Sequence, residues 1–194
     1  MKKYLIGITG GIGSGKSIIA SILQILGYKV YDCDNAAKLL MDNNHEIKTA
    51  ISTHISPLAV SKNGDINRQL LADIVFNDNE LLNILNKIVH GAVFSDILSW
   101  KEKEQHNILF VETAILYTSG INHIVDEVWE VIAPENTRIN RVVARNNTTP
   151  DKVKSRIATQ QFPNKLKHPN TQVINNDDSL LILPQILHLL NNFK

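Results

Sequence analysis

The chain has 194 residues, enough to bury one substantial core, and that length favours a single domain, or one domain carrying insertions, over two independent ones. With 43% hydrophobic and 20% charged residues the composition is that of an ordinary globular protein, and no stretch is expected to approach the ~20 apolar residues of a membrane-spanning helix. The net charge of +1 gives no overall drive towards nucleic acid. One cysteine, Cys33, excludes an internal disulfide and a cysteine-based zinc site. Met1-Lys2-Lys3 leads into an apolar run that meets glycine at Gly7 and Gly10, too short for the apolar region of a signal peptide. A cytoplasmic location, with neither nucleic acid nor membrane as partner, is the expectation.

In chain order, Tyr4 to Thr9 reads as a buried strand, followed by a glycine-rich turn and by a helix from Ser17 to Leu26 that Gly27 closes. Lys29-Val30-Tyr31 is a short second strand ending at Asp32. Residues 36 to about 104 form a helical insert, with helical periodicity over Gln69 to Phe76 and Leu81 to Trp100 around the turn Lys62-Asn63-Gly64-Asp65. Ile108 to Val111 and Val128 to Ile132 are strands three and four, and Val173-Ile174 adds a fifth. Leu180 to Leu190 is a helix that Pro184 is expected to interrupt early. The alternation predicts an α/β fold, a mostly parallel five-stranded sheet covered on both faces, with ligands beyond the carboxyl ends of the strands. The glycine loop, Asp32 and Glu112 all fall at such ends.

Gly10-Gly11-Ile12-Gly13-Ser14-Gly15-Lys16-Ser17 matches the Walker A phosphate loop at all eight positions, between a strand and a helix as the motif requires. Glycines let backbone N–H groups close on phosphate oxygens, the helix N-terminus adds partial positive charge, Lys16 reaches the β- and γ-phosphates, and the Ser17 hydroxyl ligates Mg²⁺. A dinucleotide-type turn would require neither Lys16 nor Ser17 at its spacing. Asp32-Cys33-Asp34 then sets two carboxylates at a strand end. One suits a magnesium-bound water and the other a proton from a substrate hydroxyl, although Asp34 could also cap a helix beginning near Ala36.

Residues 138 to 168 hold eight basic side chains against one acid, Asp151. Arg138, Arg141 and Arg145 share one face if Asn136 to Asn146 is helical, which makes an anion clamp over ATP. In it Arg145 faces the transferred charge and Arg138, at the helix start, attracts ATP. A solvated basic face is the plainer alternative, and nucleic acid is disfavoured because Phe162 is the only aromatic nearby. Glu112 stands where a Walker B acid would, or is an ordinary strand-end acid. His90, Asn67-Arg68 and His168-Pro169 have no ligand spacing and read as capping or packing residues.

Together these residues resemble the dephospho-CoA kinase family over nearly the whole chain. The resemblance runs from Ile8-Thr9 and the phosphate loop to Asp32, Asp34 and Ala36-Ala37. It continues through Gly64-Asp65-Ile66-Asn67-Arg68 with Leu71 and Val75-Phe76, Ile88-Val89-His90, the three arginines, Arg156-Ile157 with Gln160, and Val173-Ile174 with Asn176. It implies a P-loop NTPase three-layer fold in three parts: a nucleotide-binding core (1–35, 105–137 and 169–194), a helical domain for the coenzyme A precursor (36–104) and a lid (138–168). It implies transfer of the ATP γ-phosphate to the ribose 3′-hydroxyl of dephospho-CoA with Mg²⁺. Gly11, Ile12, Gly13, Ser14, Gly15, Lys16, Ser17, Arg141, Arg145 and Asn176 would bind ATP, Asn176 near the adenine. Asp34, Arg68 and His90 would bind the acceptor, Ser17 and Asp32 the metal, and Asp34, Lys16 and Arg145 would be catalytic. The chain departs from the family pattern at Asn67 (usually Asp), Gly91 (Pro), Thr113 to Leu116 (a Pro-Leu-Leu) and Asn170-Thr171 (Ala-Asp).

A nucleoside monophosphate or shikimate-type kinase shares the loop, the carboxylates and an arginine lid, but a small acceptor would not call for an insert of this length. A regulatory GTPase needs Asn-Lys-x-Asp, and the nearest segment, Asn164-Lys165-Leu166-Lys167, has Lys167 in place of the acid.

Overall fold

Strand β1 (Tyr4–Thr9) buries all but its first residue, the pattern of a strand covered on both faces. The computed structural model describes residues 3–160 and 167–193. Phe162 and the Asn164-Lys165-Leu166 segment, with that part of the expected lid, lie outside the described residues. Around β1 stand β2 (Lys29–Asp32), β3 (Ile108–Glu112), β4 (Glu127–Ile132) and β5 (Thr171–Asn175), in the order β2-β3-β1-β4-β5. The sheet is entirely parallel, where the sequence led us to expect a mostly parallel one. Gly7 is paired with Val111 on one side and Val128 on the other, which fixes β1 at the centre.

Two helices cover one part of this sheet: Ile19 and Leu23 of α1 (Lys16–Ile25) and Ile186, Leu189 and Leu190 of α8 (Ile182–Asn191) pack with Ile6, Ile8, Phe110, Trp129, Val131 and Ile174. The indole N–H of buried Trp129 donates to Glu127 at 2.7 Å, so this large ring is buried without an orphaned donor. Pro184 does not interrupt α8 as expected. It is the third residue of that helix, in the first turn, where its missing N–H would have had no helical partner.

The chain divides into two compact units, Met1–Tyr31 with Gln105–Lys194, and Asp32–Glu104. The first also holds α6 (Glu135–Asn146) and α7 (Pro150–Thr159), joined through Ile139, Val142 and Val153. The second is helical: α2 (Cys33–Asn43), α3 (His45–His54), α4 (Arg68–Phe76) and α5 (Asn79–Lys103), around Ile47, Ile51, Ala59, Leu71 and Val75. Each begins at an Asp or Asn whose side chain accepts from a first-turn N–H: Asp32, Asn44, Asn67 and Asp78. Contrary to the expectation from sequence, α5 is long and apolar enough to cross a bilayer, by length and composition alone, with a mean hydropathy of 1.3 over 18 residues. Its Leu81, Leu85, Ile88 and Ala92 instead pack on the core of this helical unit.

Gly27 ends α1 as the sequence indicates, with φ of 89°. Its N–H donates to Gln24 O at 3.0 Å and that of Tyr28 to Leu23 O at 2.9 Å, the paired bonds of a Schellman motif. Nothing lies within 4 Å of a Cβ built there, so only backbone strain opposes a side chain. Gly27→Ala should therefore lower stability by roughly 1–2 kcal/mol, read from the denaturant midpoint, and leave KM for substrates unchanged.

Candidate active site

The phosphate loop leaves the end of central strand β1 and enters α1 through Gly15, whose φ of 99° is left-handed. A Cβ on Gly15 would stand 2.0 Å from the Asn176 amide nitrogen, so this position excludes any side chain twice over. Asn176, only 4% exposed, lies just beyond β5 and donates from Nδ2 to Ser14 O at 2.8 Å.

That bond belongs to a series made to the loop's carbonyls. Lys16 Nζ donates to Gly10 O at 3.0 Å, and Ser14 N–H to Gly11 O at 3.1 Å. Arg138 Nε donates to Ile12 O at 3.0 Å, and Arg141 Nη1 makes a long contact of 3.5 Å with Gly13 O. The Gly15 carbonyl accepts from Ile18 and Ile19. Every carbonyl from Gly10 to Gly15 therefore has a donor. In a trans peptide the N–H points opposite to the C=O, so these contacts turn the N–H groups of Gly13, Gly15 and Lys16 towards the inside of the loop. That inside is an anion nest at the N-terminus of α1. Two buried hydroxyls at the loop, Thr9 Oγ1 and Ser14 Oγ, have no partner among the described residues, which suits a polar occupant.

Helix α6 brings Arg138 and Arg141 to the loop as the spacing predicts, but they grip its backbone. Arg138 is half-buried, and that desolvation lowers its pKa from the usual arginine value, opposed by nearby Glu135. Arg141 is held in turn by Asn176 Oδ1 at 3.1 Å and by the Asp178 carboxylate. Asp178 itself has φ of 68°. Arg145, a turn beyond Arg141, is exposed and donates to neighbouring Asn146. Ser17 is exposed in the first turn of α1 and Lys16 is half-buried.

In the helical unit the cap of α2 is Asp32, which accepts from Asn35 N–H at 3.0 Å, and the helix begins at Cys33. The helix thus begins three residues before Ala36, and the alternative reading of Asp34 as its cap does not hold. Asp34 instead stands exposed in the first turn, where a negative charge suits the helix dipole. Arg68 Nη2 pairs with Asp42 at 2.7 Å and approaches Lys38 O at 3.4 Å, on the α2 face that, four residues per step, also carries Asp34. His90 lies half-buried on α5. A groove of about 500 Å³ runs between α2, α3 and α5, with Leu40, Ile47, Ile88 and Ala92 in its walls and Glu46 and Asp96 among its polar groups. Glu112 ends β3.

Among the described residues no three His, Cys, Asp or Glu side chains converge as a metal site. A magnesium ion needs no such cage in a nucleotide site, because it arrives with phosphate oxygens and takes one or two protein oxygens. The Ser17 hydroxyl and a carboxylate are hard donors of that kind.

A central parallel strand, a glycine loop with each carbonyl held by a donor, and a lysine at the head of the next helix define a P-loop nucleotide-binding protein. The family model described as dephospho-CoA kinase matches residues 4–181. The dephospho-CoA kinase of Porphyromonas gingivalis is 34% identical over 97% of this chain and 94% of its own, and that of Staphylococcus epidermidis 33% identical over 96% and 93%. A crystal structure from Thermus thermophilus superposes with a TM-score of 0.82 at 32% identity, covering 99% of this chain and 98% of that one. The dephospho-CoA kinase of Campylobacter jejuni gives 0.69 at 26% identity, covering 98% and 97%. The chain belongs to the dephospho-CoA kinase family.

Asp178 escaped the sequence reading, and Gln160 entered it only through the family resemblance. The first is 37 residues from its arginine and the second 148 from its loop partner, distances at which no spacing pattern exists.

Burial lowers the pKa of His90 below the usual 6.5 by desolvation. The unfolded chain therefore binds this proton first on acidification. Stability should be full above pH 6.5 and fall as pH drops from there through the folded-state value. Comparing denaturant midpoints at neutral and acid pH should give a smaller loss for His90→Gln than for the parent.

Proposed function

We infer that the chain transfers the γ-phosphate of ATP to the ribose 3′-hydroxyl of dephospho-CoA, giving CoA and ADP. The carrying observation is the family match over residues 4–181 on a chain whose phosphate loop is complete and has every carbonyl from Gly10 to Gly15 turned to a donor. Composition favours the cytoplasm, with small molecules and not nucleic acid as partners.

In this reading the amides of Gly13, Gly15 and Lys16 hold the ATP phosphates, and the Lys16 ammonium neutralises charge on the β- and γ-phosphates. Asp34 takes the proton from the acceptor hydroxyl as its oxygen bonds to the γ-phosphorus, and the bond from that phosphorus to the β-bridging oxygen breaks, leaving ADP. Ser17 and Asp32 would hold the magnesium ion, whose charge offsets that of the phosphates. Arg145 meets ATP from the segment 138–168 acting as a lid. Arg141 and Asn176 serve ATP through the loop they hold. Arg68 and His90 belong to the acceptor's side, the domain at 36–104, with Arg68 exchanging Asp42 for a substrate phosphate. The groove between α2, α3 and α5 suits the neutral pantetheine arm, since Glu46 and Asp96 disfavour an anion there.

A panel of dephospho-CoA, AMP, CMP and shikimate with Mg·ATP tests the reaction. Phosphorylation of dephospho-CoA is expected, and phosphorylation of another acceptor in its place refutes the reading. Lys16→Ala should abolish turnover with the fold retained.

The two carboxylates separate cleanly. Asp34→Asn removes the proton acceptor and should lower kcat by ~10²–10⁴ with ATP binding nearly unchanged. Asparagine caps a helix as well as aspartate does, so Asp32→Asn spares α2 and tests charge alone. It should raise the magnesium concentration for half-maximal rate. If magnesium rescues Asp34→Asn and not Asp32→Asn, the roles are exchanged.

A further inference from the structure

Ile12 is gripped at three points by the two helices that come after β4. Its carbonyl accepts from Arg138 Nε at 3.0 Å, at the start of α6. Its N–H donates to Gln160 Oε1 at 2.7 Å, immediately after α7. Its side chain packs into the apolar cluster of Ile139, Val142 and Val153, with Val143 and Ile157, that joins those helices. The Arg138 guanidinium also lies against Gly11, where a Cβ would stand 2.8 Å from Nη2.

The consequence lies in the peptide units. Those on either side of Ile12 carry the Ile12 N–H and the Ile12 carbonyl, and each is planar. Holding the first through Gln160 and the second through Arg138 fixes the orientation of the Gly13 N–H, which shares a plane with that carbonyl. The Gln160 carbonyl also satisfies a loop N–H that would otherwise be an unpaired donor in a half-buried place.

We propose that Gln160 is a positioning residue for ATP: with Arg138 it clamps Ile12, and the clamp sets the geometry of the phosphate-binding amides. Gln160 itself touches no phosphate. The two bonds also tie the end of α7 and the start of α6 to the loop. The proposal rests on the loop binding nucleotide and is independent of which acceptor the enzyme uses.

Nucleotide binding without acceptor, measured by titration calorimetry with Mg·ADP, therefore separates it from the kinase reading. Gln160→Met keeps the length of the side chain and loses the acceptor, and should weaken Mg·ADP about tenfold. In turnover KM for ATP should rise in step, while KM for the acceptor stays within about twofold. Arg138→Met removes the other jaw, so in a double-mutant cycle the two losses should be non-additive by at least about threefold. If Gln160→Met proves unfolded, Ile12→Ala withdraws the apolar plug and should give the same selective loss of nucleotide affinity. Parent-like Mg·ADP affinity in whichever of these variants folds, strictly additive losses, or an equal rise in both KM values would overturn the proposal. A merely structural Gln160 would lower the melting temperature without splitting the two KM values.

Discussion

Each carbonyl of the phosphate loop from Gly10 to Gly15 is held by a donor, and much of the nucleotide-binding unit is arranged to supply those donors. A short loop of glycines has little conformational preference of its own, and its carbonyls would compete with its amides for the inside of the turn. Donors to the carbonyls settle that competition. Lys16, Ser14 and the first amides of α1 supply some from within the motif, while Arg138, Arg141 and Asn176 supply the others from more than a hundred residues away. The amides are then aimed at an anion before one arrives, and little reorganisation is needed on binding.

The strand order delivers those distant donors. Strand β4 lies beside β1 and β5 beside β4 in a parallel sheet, so the chain leaving each carboxyl end emerges on the side where the loop leaves β1. From β4 the chain runs on into α6 with its arginines, and from β5 it runs directly into Asn176. The basic helix face that reads as an anion clamp is thus divided. Its first two arginines are spent on backbone carbonyls and, for Arg141, on Asn176 and Asp178, and of the three only Arg145 is exposed.

The helical unit is organised by simpler means, local caps and an apolar core. Asn67, where the family pattern usually has Asp, caps α4 by accepting from Leu70 N–H at 3.1 Å, a task asparagine and aspartate share. Gly91 stands within α5, where helix propensity disfavours glycine, and it lines the groove between α2, α3 and α5, with nothing within 4 Å of a Cβ built there, so the missing side chain leaves the groove open.

The strand–loop–helix start, the parallel sheet and the helical insert were all legible in the sequence, because each is encoded within a few neighbouring residues. Apolar runs specify buried strands, and a phosphate loop carries its ligands in eight consecutive positions. The Schellman end at Gly27 and the cap at Asn67 are local in the same way. Even so, the sequence does not reveal which aspartate caps α2, since a boundary shift of three residues exchanges the cap for a first-turn residue. The tasks of Arg138, Arg141, Gln160 and Asn176 were decided by tertiary structure alone. A guanidinium or a carboxamide has the same spacing on its helix whether it meets a phosphate, a carbonyl or water. Its partner is chosen only when the sheet order brings together segments separated by 126 residues for Arg138 and by 162 for Asn176.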